Sequence, residues 1–163
     1  MDFMVLVREI TADDWELMRD VRLAALAEAP YAFGSTYARE AAFTEERWRG
    51  RISERSVTFL AHEETGDAAP AGLAGVYVED GGAELVSMWV RPSARGLGVG
   101  EALVGAAASW AKTRDFGSLS LWVTESNAPA VRLYERLGFG PTGERQPLPS
   151  DPALAEIRMR REL

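Results

Sequence analysis

The stretch Arg95-Gly96-Leu97-Gly98-Val99-Gly100 stands between an apolar segment, Ala83 to Arg91, and a helical pattern from Val99 to about Arg114. Its glycines place bare backbone where a ligand can come close. Because the new helix begins within this loop, its free N–H groups and positive dipole end face outward. Such a terminus binds phosphate or pyrophosphate. The stretch therefore predicts an anion site between a strand and a helix, with Arg95 as a cation at its edge.

The two commonest phosphate-binding loops do not match this stretch. The spacing Gly96-x-Gly98-x-Gly100 lacks the Gly-x-Gly-x-x-Gly pattern of dinucleotide sites, and Pro92-Ser93-Ala94 before it spoils the tight turn they need. A nucleotide P-loop requires Gly-Lys-Ser/Thr, whereas Glu101 follows Gly100. A glycine-rich turn without a ligand is the alternative, but three glycines opening a helix cost stability. The pattern favours a phosphate ligand of another class.

Apolar periodicity along the rest of the chain predicts the order β-α-α-β-β-β-α-β-α-β-β. The predicted strands are Met4–Ile10, Val57–His62, Ala71–Val78, Ala83–Arg91, Ser118–Thr124, Phe139–Pro147 and Leu154–Leu163. The predicted helices are Trp15 to Leu26 after a Thr11–Asp14 capping box, Thr44–Ile52, Val99–Arg114 and Asn127–Arg136. Loops are expected at residues 31–36 and 63–70, and a hairpin turn at Asp80-Gly81-Gly82. The fold class is therefore α/β.

One strand of this pattern, Ala83–Arg91, is apolar at both odd and even positions, which is typical of a strand buried on both faces. We therefore expect it at the centre of a mixed, mostly antiparallel sheet of about seven strands, flanked by about four helices. The length of 163 residues fits about one domain, and neither a linker nor an internal repeat interrupts it. Residues 1–163 are expected to form a single domain.

The composition excludes several function classes. The chain has no cysteine and one histidine, so disulfides, thiolate metal sites and multi-histidine metal sites are not expected. His62 is expected on the surface or on an edge strand rather than in a catalytic triad, because no Gly-x-Ser-x-Gly elbow is present. The net charge of −7 makes nucleic acid a poor partner and weakly favours cationic substrates.

No apolar run approaches the roughly 20 residues that a membrane-spanning helix needs. Met1-Asp2-Phe3 does not begin a secretory signal, since no basic region with an apolar stretch follows it. We therefore expect a cytoplasmic protein without a membrane partner.

Two motifs in the second half of the chain resemble a known family. Arg95-x-x-Gly98-x-Gly100 is similar to the Arg/Gln-x-x-Gly-x-Gly/Ala loop of the GNAT N-acetyltransferases. About thirty residues later, the segment Asn127 to Phe139 (NAPAVRLYERLGF) resembles that family's Asn-x-x-Ala-x-x-Leu-Tyr-x-x-x-Gly-Phe segment. The predicted element order also agrees along nearly the whole chain. The resemblance implies a GNAT-like sheet whose central parallel strands splay apart, and an enzyme that transfers acetyl groups from acetyl-CoA without a metal.

The resemblance also implies where acetyl-CoA would bind. Its pyrophosphate would lie on the glycine loop, its pantetheine arm along the end of the central strand, and Asn127 would hydrogen-bond that arm. The implied donor-site residues are Met88, Trp89, Val90, Arg95, Gly96, Leu97, Gly98, Val99, Gly100, Glu101, Asn127 and Tyr134. A strand N–H near Trp89 would stabilise the oxyanion formed when an amine attacks the thioester.

Two side chains are candidate catalysts. Tyr134 carries the family's motif position for the acid that protonates the departing thiolate, although a tyrosine on an apolar helix face is also a common core residue. Glu84, eleven residues before Arg95, resembles the glutamate base of the histone-modifying members. The alternatives for Glu84 are a solvated residue after the hairpin, or a chain of water molecules serving as the base.

The acceptor is the least determined part of the site. The family's acceptor pocket lies between the first helices and the last strand pair, which implies Tyr31, Phe33, Ser35 and Trp48, with residues 146–151 opposite. These aromatic side chains are alternatively a cover for the sheet. A small-molecule amine and a protein amine both stay open as acceptors, as does a homodimer. A non-catalytic sensor that binds acyl-CoA is the alternative function.

Overall fold

One seven-stranded sheet runs through residues 4–63 and 69–163, the part of the chain that this computed structural model describes. The strands are β1 (Val5–Glu9), β2 (Ser56–Glu63), β3 (Gly72–Glu79), β4 (Gly82–Val90), β5 (Ser118–Thr124), β6 (Gly140–Leu148) and β7 (Asp151–Glu162). Their order in the sheet is β1-β2-β3-β4-β5-β7-β6. The predicted α/β class and the central place of β4 are therefore confirmed.

Within residues 4–63 and 69–163, five α-helices flank the sheet. They are α1 (Trp15–Glu28), α2 (Tyr37–Ala41), α3 (Glu45–Gly50), α4 (Val99–Thr113) and α5 (Ala128–Arg136). The short helix α2 was not expected, because five residues are too few to show an apolar period. It begins after Thr36, whose hydroxyl accepts a hydrogen bond from the Arg39 N–H at 3.2 Å. In the described residues, no helix has both the length and the apolar character to cross a membrane.

The pairing of β4 with β5 creates the feature on which the site depends. These two strands are parallel, whereas every other neighbouring pair in the described sheet is antiparallel. They pair at only three positions, which are Ala83–Leu119, Glu84–Ser120 and Leu85–Leu121. Beyond Leu85 the two strands diverge and the sheet opens. This is the splaying of the central parallel strands that the resemblance to the GNAT family implied.

Strand β4 also contains a bulge at the start of this opening. Ser87 has a φ of 60°, a left-handed conformation that is rare for a residue other than glycine. The pairing with β3 shifts by one residue at this point, between Leu73–Trp89 and Gly75–Val86. The extra residue changes which face each side chain takes. Leu85 packs with the α4 side of the sheet, while Trp89 packs with the α1 side.

The two faces of the sheet carry separate cores. Helix α4 packs Leu103 and Val104 on one face, and α1 and α3 pack Leu26 and Trp48 on the other. Trp48 is completely buried there. Its predicted place in the acceptor pocket is therefore wrong, since the apolar indole lies in the core between α3 and the sheet.

Two further expectations differ from the structure. His62 lies on β2, an internal strand between β1 and β3, and it is partly buried rather than on an edge or the open surface. Val86, expected to be buried on one face of β4, is 38% exposed because the helices leave that part of the sheet uncovered. Glu63, which was predicted to begin a loop over residues 63–70, belongs to β2 instead. Residues 64–68 of that predicted loop lie outside the described chain.

Candidate active site

Two cavities lie at the opening between β4 and β5, and Ala32 contributes to both. The first, called the donor cavity here, has a volume of about 490 Å³ and is bounded by the end of β4, the glycine loop and α5. The second, the acceptor cavity, has a volume of about 560 Å³ and lies over β3 and β4 against α1 and the α2–α3 region. Both volumes are in the range of small-molecule sites.

The glycine loop forms one end of the donor cavity. Gly96 and Gly98 have φ values of 79° and 88°, which only glycine adopts without strain, and Gly98 is the residue immediately before α4. A side chain on Gly100 would meet Leu133 at 3.1 Å and Met88 at 3.3 Å. The first two glycines therefore serve the turn and the third allows close packing. The N–H groups of the first turn of α4 have no partner within the helix and border the cavity.

Arg95 is held more tightly than the sequence suggests. Its Nε donates to the carbonyl of Val90 at 2.9 Å, and its Nη2 lies 2.9 Å from both carboxylate oxygens of Glu28. Glu28 also accepts a hydrogen bond from Nε1 of Trp89 at 3.1 Å. Arg95 thus fastens the loop to the end of β4 and to α1, and Glu28 offsets part of its charge at the cavity rim.

The backbone at the end of β4 has amides that face the opening. Arg91 donates its N–H to Ala71 at 2.8 Å on the β3 side, and alternation places the Trp89 N–H on that side too. Met88 and Val90 therefore direct their N–H groups away from β3. The Val90 carbonyl agrees with this, because it points to Arg95. The backbone N–H groups near Trp89 that could donate a hydrogen bond into the opening are therefore those of Met88 and Val90, not that of Trp89 itself.

Helix α5 contributes Asn127 and Tyr134 to the donor cavity. Asn127 precedes the helix, and its side chain makes no capping hydrogen bond and has no partner in the part of the chain that the structure describes. Tyr134 is buried, packs edge-on against Phe139 at 5.7 Å between ring centroids, and has no hydrogen-bond partner for its hydroxyl among the described residues. Burial raises the pKa of the Tyr134 hydroxyl above its ordinary value, so this group carries its proton at neutral pH.

Glu84 is the middle of the three positions at which β4 pairs with β5, and it lines the acceptor cavity, whereas Tyr134 lines the donor cavity. Burial raises the pKa of the Glu84 carboxyl, and the charge of Arg158 opposes that rise. The Arg158 Nη2 is 3.6 Å from Glu84 Oε1, too long for a tight ion pair. A carboxylate with a raised pKa is suited to accept a proton.

Residues 15–139 match the acetyltransferase (GNAT) family. The chain belongs to this family. It is 41% identical over 86 residues to a streptothricin acetyltransferase of Streptomyces lavendulae, covering 52% of this chain and 44% of that one. The chain spans about half or less of the length of the curated relatives that it matches.

Solved structures share the fold of this GNAT chain. An N-acetyltransferase of the family from Kribbella flavida superimposes with a TM-score of 0.71 at 26% identity, over 98% of both chains. An N-acetyltransferase from Thermoplasma acidophilum in complex with coenzyme A has a TM-score of 0.67 at 16% identity, over 98% of this chain and 99% of that one. At 16% identity, the comparison with the Thermoplasma acidophilum protein shows only that the two folds are alike.

The predicted donor-site residues of this GNAT protein are nearly all at the donor cavity. The residues that line it include Met88, Trp89, Val90, Arg95, Gly96, Gly98, Val99, Gly100, Glu101, Asn127 and Tyr134. Leu97 does not line it and is 45% exposed. The backbone of the loop turns inward while this side chain turns out.

The predicted acceptor residues divide between the two cavities. Phe33 and Ser35 line the acceptor cavity, whereas Tyr31 lines the donor cavity and Trp48 lines neither. Within residues 146–151, the Ser150 hydroxyl donates a hydrogen bond to the carbonyl of Phe33, a residue that lines the acceptor cavity. The GNAT acceptor cavity is therefore built mainly from other side chains.

Several charged residues of the acceptor cavity were missed by sequence reasoning. These are Arg22, Glu40, Arg51 and Glu156, with Trp122 beside them. Arg22 had one detectable signal, because it lies beside the apolar positions Met18, Val21 and Ala25 of α1. A cation on a buried helix face requires a partner, but the sequence does not show that Glu40 supplies it.

Proposed function

We propose that this GNAT protein is an acetyl-CoA-dependent N-acetyltransferase that moves the acetyl group to a primary amine by direct attack on the thioester. The observation that carries the proposal is the divergence of β4 from β5 beyond Leu85, with one cavity on each side. Two reactants can enter such an opening from opposite sides and meet at the bulge. The name of the streptothricin acetyltransferase supports the same reaction class.

The donor cavity fits the phosphate and amide groups of acetyl-CoA. The N–H groups at the start of α4 suit its pyrophosphate, and added side chains at Gly96 and Gly98 would meet nothing within 4 Å, so the space before the loop is open. Val90 offers its N–H group to the pantetheine arm as a strand would, and the amide of Asn127 reaches the same cavity. Acetyl-CoA supplies an acyl group activated as a thioester.

The protein's own residues then have distinct tasks. Glu84 accepts the proton of the acceptor ammonium, directly or through water, so that the nitrogen lone pair can form the new C–N bond. The Met88 N–H, which points into the opening, donates to the carbonyl oxygen as negative charge develops there. Tyr134 gives its proton to the sulfur as the C–S bond breaks. The second proton of the former amine nitrogen passes to solvent as the amide forms, and Tyr134 regains a proton from solvent.

A thiol-release assay over an amine library tests the proposal. Acetyl-CoA and each amine are incubated with the protein, and free coenzyme A is measured together with the mass of the acetylated amine. Amine-dependent thiol release supports an enzyme in which residues 1–163 act as one acetyltransferase domain. Binding of acetyl-CoA by calorimetry, without thiol release for any amine, would instead support the sensor function.

A further inference from the structure

One wall of the acceptor cavity carries an excess of positive charge. Glu40 is fully buried and accepts Nε and Nη2 of Arg22, each at 3.0 Å, and Nη1 of Arg51 at 2.9 Å. Two guanidinium groups thus share one carboxylate, and all three residues line the cavity. The excess of one positive charge is notable in a chain whose net charge is −7.

The two arginines differ in the donors that they have left. Each nitrogen of the buried Arg22 has a hydrogen-bond partner, since Nη1 lies 3.4 Å from the Ser87 hydroxyl at the β4 bulge. Arg51 gives only Nη1 to Glu40, and its Nε and Nη2 have no hydrogen-bond partner among the described residues. Its guanidinium packs over the Trp48 ring at 5.0 Å, and its side chain is 35% exposed. Arg51 is therefore the cation that can bind a further anion.

The opposite side of the same cavity is acidic. Glu84 and Glu156 both line it, and Gln146 donates to Glu156 at 2.6 Å without neutralising it. Arg158 is the cation paired with Glu84, at 3.6 Å. Two carboxylates and one guanidinium leave an excess of one negative charge on this side, next to the opening where the acceptor amine must react.

The sheet sets the separation of the two sides. Ser56, Tyr77 and Glu84 are direct neighbours across β2, β3 and β4, and the Ser56 hydroxyl donates to the Arg51 carbonyl at 2.6 Å. Two strand spacings amount to about 10 Å, and Arg51 and Glu84 both line the cavity. A single small molecule can contact both. The half-exposed Val86 forms an apolar floor between them.

We infer that the acetyl acceptor is a small zwitterion, with a carboxylate that binds Arg51 and an amine that faces Glu84 and Glu156. This inference rests on the proposed function and adds the substrate class. The planar guanidinium matches a carboxylate through two parallel hydrogen bonds. The ammonium is held where Glu84 can remove its proton. An amine without the anionic group leaves the charge of Arg51 unmatched.

Matched acceptors test this inference with the intact protein. The panel is the set of free amino acids, β-alanine and γ-aminobutyrate, each beside its C-terminal carboxamide, with thiol release at saturating acetyl-CoA. The best free acid should have a kcat/KM at least tenfold above that of its carboxamide. Arg51→Gln should lower kcat/KM for the acid by about 10- to 100-fold, the range for a charged hydrogen bond, and change that of the carboxamide less than twofold.

The variant should remain folded, because Glu40 keeps both hydrogen bonds from Arg22 and the glutamine can still donate one. Arg47→Gln is the control, since Arg47 is on α3, the helix that ends just before Arg51, and is exposed and outside the cavity. Arg51→Lys should keep part of the preference for the acid, because it keeps the charge but loses the paired geometry.

The inference is overturned if the carboxamides are acetylated as well as the acids, or if Arg51→Gln lowers both equally. In those cases thiol release still supports the acetyltransferase. If no compound of the panel causes release of thiol from acetyl-CoA, the proposed function fails. Calorimetry of the same compounds on the coenzyme A-saturated protein then tests whether Arg51 binds a carboxylate. Binding that requires both the carboxylate and Arg51 supports it, and equal or absent binding contradicts it.

Discussion

Arg95 and Glu28 form an ion pair at the rim of the donor cavity, with Nη2 of Arg95 2.9 Å from each carboxylate oxygen of Glu28. The pair ties the glycine loop to the last turn of α1, and Trp89 joins it through its indole N–H. A carboxylate next to the proposed pyrophosphate site is unfavourable for the negative charge of that ligand. The Arg95–Glu28 pair therefore holds the glycine loop in place but weakens the positive electrostatic potential at the rim of the donor cavity.

Neutralising Glu28 should strengthen acetyl-CoA binding at low salt. Glu28→Gln can keep the hydrogen bonds to Arg95 and Trp89 but removes a negative charge, so we expect the Kd for acetyl-CoA to fall about two- to fivefold, as for a charge about 10 Å from the phosphates. The gain should vanish at about 0.5 M NaCl, because the screening length is then only a few ångströms. Calorimetry at both salt concentrations measures this, with the exposed Glu45→Gln as control. An unchanged or weaker affinity at low salt would assign Glu28 to loop positioning alone.

Removing the Tyr134 hydroxyl should separate chemistry from binding. Tyr134→Phe keeps the packing against Phe139 and breaks no hydrogen bond among the described residues, so Tm should change little. If the hydroxyl protonates the leaving thiolate, kcat should fall about 10²-fold or more while the Kd for acetyl-CoA stays within twofold. Steady-state kinetics and calorimetry measure the two effects. Tyr37→Phe, an exposed tyrosine outside both cavities, is the control. An unchanged kcat would exclude the acid role.

The backbone elements around the donor cavity could be predicted because the sequence patterns that mark them are local. The glycine loop and the start of α4 are adjacent in sequence, and Gly138 ends α5 with a φ of 94°, as its position predicts. The hairpin turn at Asp80-Gly81 was equally clear, and both residues have positive φ. Local backbone preferences decide such features before the tertiary structure forms.

The acceptor side was not predictable for the opposite reason. Arg22, Glu40 and Arg51 come together only through the packing of α1, α2 and the residue that follows α3, and no spacing rule links residues 18 and 11 positions apart in different elements. Trp48 shows the same limit, since an aromatic residue on a short helix packs equally well in a core or in a pocket. The bulge at Ser87 also lacks a signal, because a positive φ is expected at glycine.

Replacing Glu84 and replacing Arg158 should change the acid limb of the pH profile of kcat in opposite ways. A base acts when deprotonated, so kcat falls as pH drops through its pKa, which burial raises and Arg158 lowers. Arg158→Gln should therefore move the acid limb of the kcat profile to higher pH, while Glu84→Gln should lose that limb and lower kcat about 10²-fold or more. Profiles at saturating acceptor check this. A wild-type profile in Glu84→Gln would favour water as the base.

The glycine loop offers a test of the donor site with an internal control. Gly98→Glu puts a carboxylate and a side chain at φ 88° before the free N–H groups of α4, so acetyl-CoA binding should fall below detection by calorimetry. Gly105→Glu adds the same charge on the same helix at an exposed position with nothing within 4 Å. It should bind acetyl-CoA within threefold of wild type. Retained binding in Gly98→Glu would move the pyrophosphate site away from the loop.

Glu40 should make the stability of the protein depend on pH in the acid range. Burial opposes ionisation of Glu40, but the hydrogen bonds and charge of Arg22 outweigh it and lower the pKa from its ordinary 4.5 to about 2. A lowered folded-state pKa contributes stability that is fully present above pH 4.5 and is lost as pH falls towards 2. The contribution is about 3 kcal/mol at neutral pH, from the size of the shift.

Glu40→Gln should therefore lower the free energy of unfolding by about 3–5 kcal/mol at pH 7, because it leaves the buried Arg22 without its counter-charge. The loss should shrink as pH falls below 4.5, since protonated Glu40 in the wild type no longer differs in charge from glutamine. Urea unfolding at a series of pH values between 3 and 7 measures both effects. Glu45→Gln, which removes an exposed ion pair with Arg49, should cost less than about 1 kcal/mol. A loss in Glu40→Gln that is constant across the series would show that the cost is one of packing and not of charge.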